Sequence, residues 1–536
     1  MDKRRDEGRP PAPEASFTSN AALAPLAPQR DEATPSRPEV APGPAGPRDF
    51  APGPKNLAPG PKDLPCLGLA LLLALLWTAC VDGLPLGLAP FFPCLGGVGV
   101  TLSLLCFLAV ALVLGRGPRR LGRETIALAV VCALLSVAPS LTASTELRLL
   151  NSLVLGPCCV LTFLLLSGGA ERIALSLRGC LAALAFFFSA QVRNAGRLLS
   201  LRPSLATRSL VSAGLGLLAG VVVLALVVPL LASADAVFMR LLEDSFLWVG
   251  EGWERWVWRA VRVAVVGTLS FSLLVALADR QGSQVQGAPS ARRRDASALS
   301  VTVPLLMLDV VYAVFVIIQF AYLFGGAAST AAFGGYAAYA RSGFFQLVAD
   351  AAINLAVVLV SRWLRRDAES ARHVGVLQYL LLAATLVVLA SAALRMSLYV
   401  GVYGLSLLRA LTYLGMVAIA GLVALVGASI ALPHLPTFRL SLAFLLALWC
   451  AFILSGPAAR IASFNVDGYL SGSIEVIDVD YLGSLSPDAR WAIARLAEES
   501  PACEDQARLE LDALEHYWDG ETWSTLTAAE LLSGGR

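Results

Sequence analysis

The chain of 536 residues is 57% hydrophobic and 15% charged, against roughly 45–50% and 25% in ordinary soluble domains, and the excess lies in long runs that a soluble core does not account for. Its formal net charge of +2 hides a segregation: from residue 462 onward there are fifteen acidic and four basic side chains, whereas the gaps between the apolar runs are rich in arginine. Ten cysteines with no CxxC pair and three scattered histidines (His373, His434, His516) make no recognisable zinc, haem or di-iron constellation.

Residues 1–64 hold fourteen of the thirty prolines and a tandem repeat, APGPKNL at 51–57 and APGPKDL at 58–64. Such a segment buries too little apolar surface to offset its ordering entropy, so a disordered tail is expected. It serves solubility alone or acts as a tether for a cytoplasmic partner. The first apolar run starts only at Leu67, far from the charged start, which argues against a signal peptide.

A hydrocarbon layer about 30 Å thick takes roughly 20 helical residues to cross. On that measure the sequence predicts eleven transmembrane helices, at 67–81, 94–114, 125–143, 149–168, 209–232, 260–278, 301–323, 344–361, 375–394, 410–432 and 440–459. The fold class is therefore an all-α polytopic bundle, with 1–64 as tail, 65–460 as the membrane domain and 461–536 as a small acidic soluble region. An apolar patch, Leu181 to Phe188, is too short to cross and suits an interfacial or re-entrant helix. Nine of the cysteines, all but Cys503, lie within or beside apolar segments and read as small packing residues.

With the tail in the cytoplasm, alternation of the spans puts 28 of the 41 lysines and arginines inside, as the positive-inside rule requires, and leaves the C-terminus outside. Three lysines against 38 arginines, together with abundant Ala, Gly and Leu, suit a GC-rich bacterial genome, hence a bacterial cytoplasmic membrane. In the C-terminal region Ile474 to Tyr481 alternates like a short strand. Ser486-Pro487-Asp488 predicts a helix start running to about Glu499, a second helix covers 504–518, and Thr527 to Glu530 reads as a capping box. Its excess of acids excludes nucleic acid as a partner there.

Ionisable groups in apolar helices cost at least about 2.5 kcal/mol each, so those present face a bundle interior or a wet cavity. Gln346, Asp350 and Asn354 recur every four residues; Tyr312, Gln319 and Tyr322 share a face with Asp309 nearby; Arg395, Tyr399 and Tyr403 follow the ninth span, and Arg409 opens the tenth. Asp309 or Asp350 paired with Arg395 or Arg409 would neutralise both partners. A structural ion pair with interhelical hydrogen bonds is the plainer reading; a polar cavity for an ion or small solute is the sharper one. Asn151 reads as a helix–helix hydrogen bond, Asp235 as a cap, and Trp248, Trp253, Trp256 and Trp258 as an interfacial belt. GVGVTLS lacks the lysine and strand of a phosphate loop, and no G-x-S-x-G, H-E-x-x-H or kinase set occurs. No catalytic, cofactor or metal residue is expected.

Ser233 to Phe238, Gln319 to Gly326, Tyr339-Ala-Arg-Ser-Gly-Phe-Phe345, Ser391 to Met396, Leu398-Tyr399 and Tyr403-Gly404-Leu405 stand in an order that resembles an uncharacterised bacterial polytopic membrane family, a domain of unknown function of the 4173/4153 type. Asn465-Val466, Asp480-Tyr481-Leu482 and Leu485-Ser486-Pro487-Asp488-Ala489 fit it too; Asp467-Gly468-Tyr469 departs from it, where the family more often has an arginine before the tyrosine. The resemblance implies an inner-membrane location and no established activity. It also groups Arg341, Arg395, Tyr399 and Tyr403 in a common polar design. Three functions are then in play: a non-enzymatic transporter-like or envelope-associated component with a buried polar cluster, a scaffold or signalling protein that binds partners through the tail and C-terminal region, and, last, a membrane enzyme acting on lipid-linked material.

Overall fold

Away from water a backbone must satisfy its own N–H and C=O groups, and every regular element among the described residues is a helix. A computed structural model describes residues 62–81, 97–115, 121–168, 176–200, 253–281, 298–324, 344–364 and 371–516. Residues 1–61 of the tail, the predicted span at 209–232, Asp235, Trp248, Arg341 and the Thr527 capping box lie outside them, while Asp63 and Leu64, expected in the tail, open the first helix.

The membrane helices are α1 (Asp63–Cys80), α2 (Val98–Gly115), α3 (Arg123–Leu141), α4 (Thr145–Leu166), α5 (Leu177–Ser200), α6 (Trp253–Ala278), α7 (Ala298–Phe324), α8 (Phe344–Leu364), α9 (Ala371–Tyr403), α10 (Leu407–Ala431) and α11 (Thr437–Leu454). Ten of these, all but α5, are long and apolar enough to cross a membrane, and they coincide with the ten predicted spans that fall among the described residues. The protein is a polytopic all-α membrane protein.

Three adjustments to the sequence reading follow from packing. The patch at Leu181 is part of a 24-residue helix, α5, whose polar half is drawn into the bundle: Asn194 exchanges amide hydrogen bonds with Gln281 (3.1 and 3.2 Å) and donates to Ser272 O (2.9 Å). Helix α9 runs for 33 residues, about 50 Å at 1.5 Å per residue, so Arg395, Tyr399 and Tyr403 sit on the ninth span's own helix rather than after it. The last span breaks at Gly456, whose φ of +67° suits a residue without Cβ, and Pro457 then opens α12 (Pro457–Leu470).

Beyond α12 come α13 (Val479–Leu485), a 3₁₀ turn at Pro487–Ala489, α14 (Arg490–Glu499) and α15 (Glu504–His516). The expected strand at Ile474 to Tyr481 does not form, since Asp478 Oδ1 accepts from Tyr481 N (2.9 Å) and caps α13 instead. The helices predicted from Ser486 and Glu504 do form.

Leu128, Leu135, Leu155, Leu164 and Ile453 form the core of α3, α4 and α11, with Phe163 of α4 packed on Phe186 of α5. A second core joins α7 to α10 through Leu305, Val358, Leu381 and Val423. Helix α1 seals against α6 through Ala70, Leu73, Phe271 and Leu274. Polar bonds mark one end of the bundle: Lys62 Nζ to Ala278 O (3.0 Å), Arg439 to Glu124 (2.5 Å), Arg197 to Asp279 (2.5 Å) and Arg362 Nη2 to Ser429 O (3.0 Å). At the opposite end lie the turns after α3 and α9, covered by the C-terminal helices, whose own core is Ile461, Val466, Leu482, Ile493 and Leu496.

Candidate functional site

Two polar groupings emerge from the residues singled out in the sequence. The first lies where α7 and α8 meet α9. Asn354 is fully buried, with the Tyr312 hydroxyl of α7 as its polar neighbour; both carboxylate oxygens of Asp309 are inaccessible and unpartnered. Tyr312, one turn along α7 from Asp309, lies beside Asp350 and Asn354. Transfer of a polar group to an apolar setting without a compensating bond costs roughly 2–7 kcal/mol, so this centre holds the least satisfied polar atoms of its helices. Towards the covered end of the bundle, Gln319 Oε1 accepts from Ser391 Oγ (2.7 Å), which locks α7 to α9.

Gln346, at the start of the expected stripe on α8, is exposed while Asn354 is buried. A four-residue spacing advances about 40° per step around a helix, so two steps carry the stripe from the bundle surface to its interior.

The second grouping closes the turn between α9 and α10. Arg409 Nη1 donates to Tyr403 O (2.9 Å) and also to Gly404 O, and its guanidinium sits 4.4 Å above the Tyr399 ring, which itself packs on Tyr403 at 4.9 Å. Arg409 is thus satisfied by carbonyls and an aromatic face. Among the described residues no ion pair joins Asp309 or Asp350 to Arg395 or Arg409, so the neutralising pair expected from sequence is absent. The structure separates Asp309, Asp350 and Asn354 from Tyr399, Tyr403 and Arg409 as two groupings, and Arg341 lies outside the described residues.

That second grouping extends to residues which sequence reasoning did not single out as a site. Asn465 of α12 accepts from Leu405 N (2.6 Å) and donates to Leu405 O (2.8 Å); the Tyr481 hydroxyl of α13 accepts from Leu407 N (2.8 Å). Burial pushes the Tyr481 hydroxyl above its ordinary pKa. Asp488 Oδ2 accepts from Thr142 Oγ1 (2.8 Å) and Ala143 N (3.1 Å) and so holds the α3–α4 turn. The one available signal was that these residues lie in the short polar words near the end of the chain. Arg262 also escaped notice: it is buried inside α6 and donates to Val81 O (3.1 Å) at the end of α1. Asn151 is a helix–helix connector, donating to Leu135 O (2.9 Å) and accepting from Trp449 Nε1 (3.4 Å).

Three cavities stand out: an apolar groove of about 760 Å³ between α1 and α6, a space of about 130 Å³ among α1 to α4 and α6, and an open hollow of about 460 Å³ at the α11–α12 break. None of the three is lined by Asp309, Asp350, Arg395 or Arg409. Among the described residues no three His, Cys, Asp or Glu side chains stand together as metal ligands.

Fold and site together define a multi-pass membrane protein with a small helical cap clasped to one end of its bundle. Residues 129–496 match the family described as Domain of unknown function (DUF4153), and the chain belongs to that family. The matched stretch includes both polar groupings. No curated protein and no solved structure matches the chain.

Proposed function

We propose that the protein is a non-enzymatic, transporter-like component of the bacterial cytoplasmic membrane whose polar centre between α7 and α8 accommodates a small solute or ion. The observation behind this reading is Asp309, whose two carboxylate oxygens are inaccessible and unpartnered, one turn along α7 from the Tyr312 that meets the buried Asn354. Interhelical glue satisfies its own hydrogen bonds, as Asn151 and Asn194 do; a polar group left open in an apolar bundle marks a place where something else supplies the partner.

The orientation in this proposal puts the tail and the Lys62, Arg197, Arg362 and Arg439 end in the cytoplasm and the acidic cap outside. Clustering of basic residues at that end supports it. A scaffold role is the second reading. It is favoured by Trp491 on the cap, 77% exposed, which suits a protein partner outside the bilayer.

The test is thermal unfolding of the purified full chain in detergent across a series of monovalent cations, small anions and pH. At least one condition should stabilise the wild type and leave Asn354→Leu unmoved. A series in which nothing shifts the wild type would return the centre to a purely structural role.

A further inference from the structure

Cys132 of α3 and Cys159 of α4 bring their sulfur atoms to 4.0 Å near the middle of the bundle, and both line the 130 Å³ cavity together with Ser136 and Thr162. Their surroundings are ordered by short bonds. Cys132 Sγ lies 3.4 Å from Thr162 Oγ1, Thr162 donates to Cys158 O (2.8 Å), and Ser136 donates to Cys132 O (2.7 Å). Cys132 is buried, whereas Cys159 shows part of its residue surface outside the α3–α4 packing. The remaining lining, Leu104, Phe107, Leu108, Phe163, Leu273 and Leu277 among it, is apolar.

We infer that Cys132 and Cys159 form a two-coordinate site for a soft monovalent metal ion of the copper(I) or silver(I) type, entered through the cavity beside them. Two metal–thiolate bonds of about 2.3 Å in line set the sulfurs about 4.6 Å apart, so binding opens the observed 4.0 Å separation by about 0.6 Å, a shift that side-chain rotation at the two cysteines supplies. The ligand set selects the metal. Soft sulfur donors favour copper(I) over hard cations, and with no third His, Cys, Asp or Glu grouped there among the described residues the site lacks the four ligands a structural zinc needs.

Charge selects the monovalent state. An M⁺ ion bound by one thiolate and one neutral thiol gives an uncharged unit, with one proton released on binding and no change in oxidation state: M⁺ + two thiols yields the M–thiolate–thiol unit and H⁺. An uncharged unit avoids the desolvation penalty that a divalent ion or a second thiolate would bring to this apolar cavity.

The experiment uses the purified full chain in detergent, kept reduced, in competition with a chromophoric copper(I) chelator. The wild type should withhold one copper(I) per chain. Cys132→Ala and Cys159→Ala should each weaken that binding by more than about 100-fold, since outer-shell partners alone are worth about 10–100-fold. Cys158→Ala/Cys450→Ala, which removes neighbouring thiols, should leave it unchanged. X-ray absorption at the copper edge of the wild type should show two sulfur neighbours, a readout independent of how the variants fold. Failure of the wild type to compete, retention of copper(I) by Cys132→Ala or Cys159→Ala, or a sulfur count other than two would each overturn the site and leave the pair as packing.

Discussion

Asn465 grips the backbone of Leu405 with both ends of its amide, accepting from the N–H at 2.6 Å and donating to the carbonyl at 2.8 Å, although the two residues are sixty positions apart. The bond pair ties the first helix of the cap to the turn that ends α9. Because Asn465 is buried, water cannot replace it. Asn465→Ala should therefore destabilise the protein by about 1–3 kcal/mol, the cost of leaving buried backbone groups unmade. Asn465→Asp, which keeps the acceptor and loses the donor, should fall between. Thermal unfolding and limited proteolysis of the cap give the readouts.

Gly404 stands against the same amide. Its φ is +70°, and a Cβ there would come within 2.7 Å of Asn465 Oδ1. Gly404→Ala should cost about 1–2 kcal/mol from the left-handed backbone alone, with the crowding of Asn465 added to it. The crowding part should vanish in the Asn465→Ala background. A double-mutant cycle on unfolding free energy measures that coupling.

Asp309 predicts the opposite sign. Its carboxylate oxygens are inaccessible and unpartnered, so Asp309→Leu removes a desolvation cost and should stabilise the protein by about 1–3 kcal/mol in the absence of any bound ion or solute. The same substitution should abolish whatever ion-dependent stabilisation the wild type shows. A loss of stability on Asp309→Leu would mean that the carboxylate is satisfied in the folded protein.

Much of this architecture is legible in the sequence because the solvent imposes it. Ten apolar helices follow directly from runs of about 20 residues, and Ser486-Pro487-Asp488 announces its helix by local capping alone. What escapes is whatever depends on a distant partner. The Ile474 to Tyr481 alternation suggests a strand, but no second strand exists among the described residues for it to pair with, and Asp478 caps a helix instead. Arg409 reads as half of an ion pair until its position over Tyr399 and beneath two carbonyls is seen. Asp488 acts on Thr142 across 346 positions, and no spacing rule reaches that far.

Tyr481 makes the clasp sensitive to alkali. Burial, the main cause, raises its pKa above the usual value near 10, with Asp478 and Glu146 acting in the same direction and the Leu407 N–H and Arg409 opposing. The folded state therefore holds the phenolic proton more tightly than the unfolded chain. Its contribution to stability is full below about pH 10 and is lost as the pH rises through the folded value. Unfolding followed against pH should show that loss in the wild type, and Tyr481→Phe should reduce it.

The central claim is that the chain crosses a membrane with the basic end and the capped end on opposite sides. A topology reporter placed after Arg536, paired with one in the N-terminal tail, addresses it most directly. The account predicts periplasmic behaviour at the C-terminus and cytoplasmic behaviour at the tail. Both reporters on one side would contradict it.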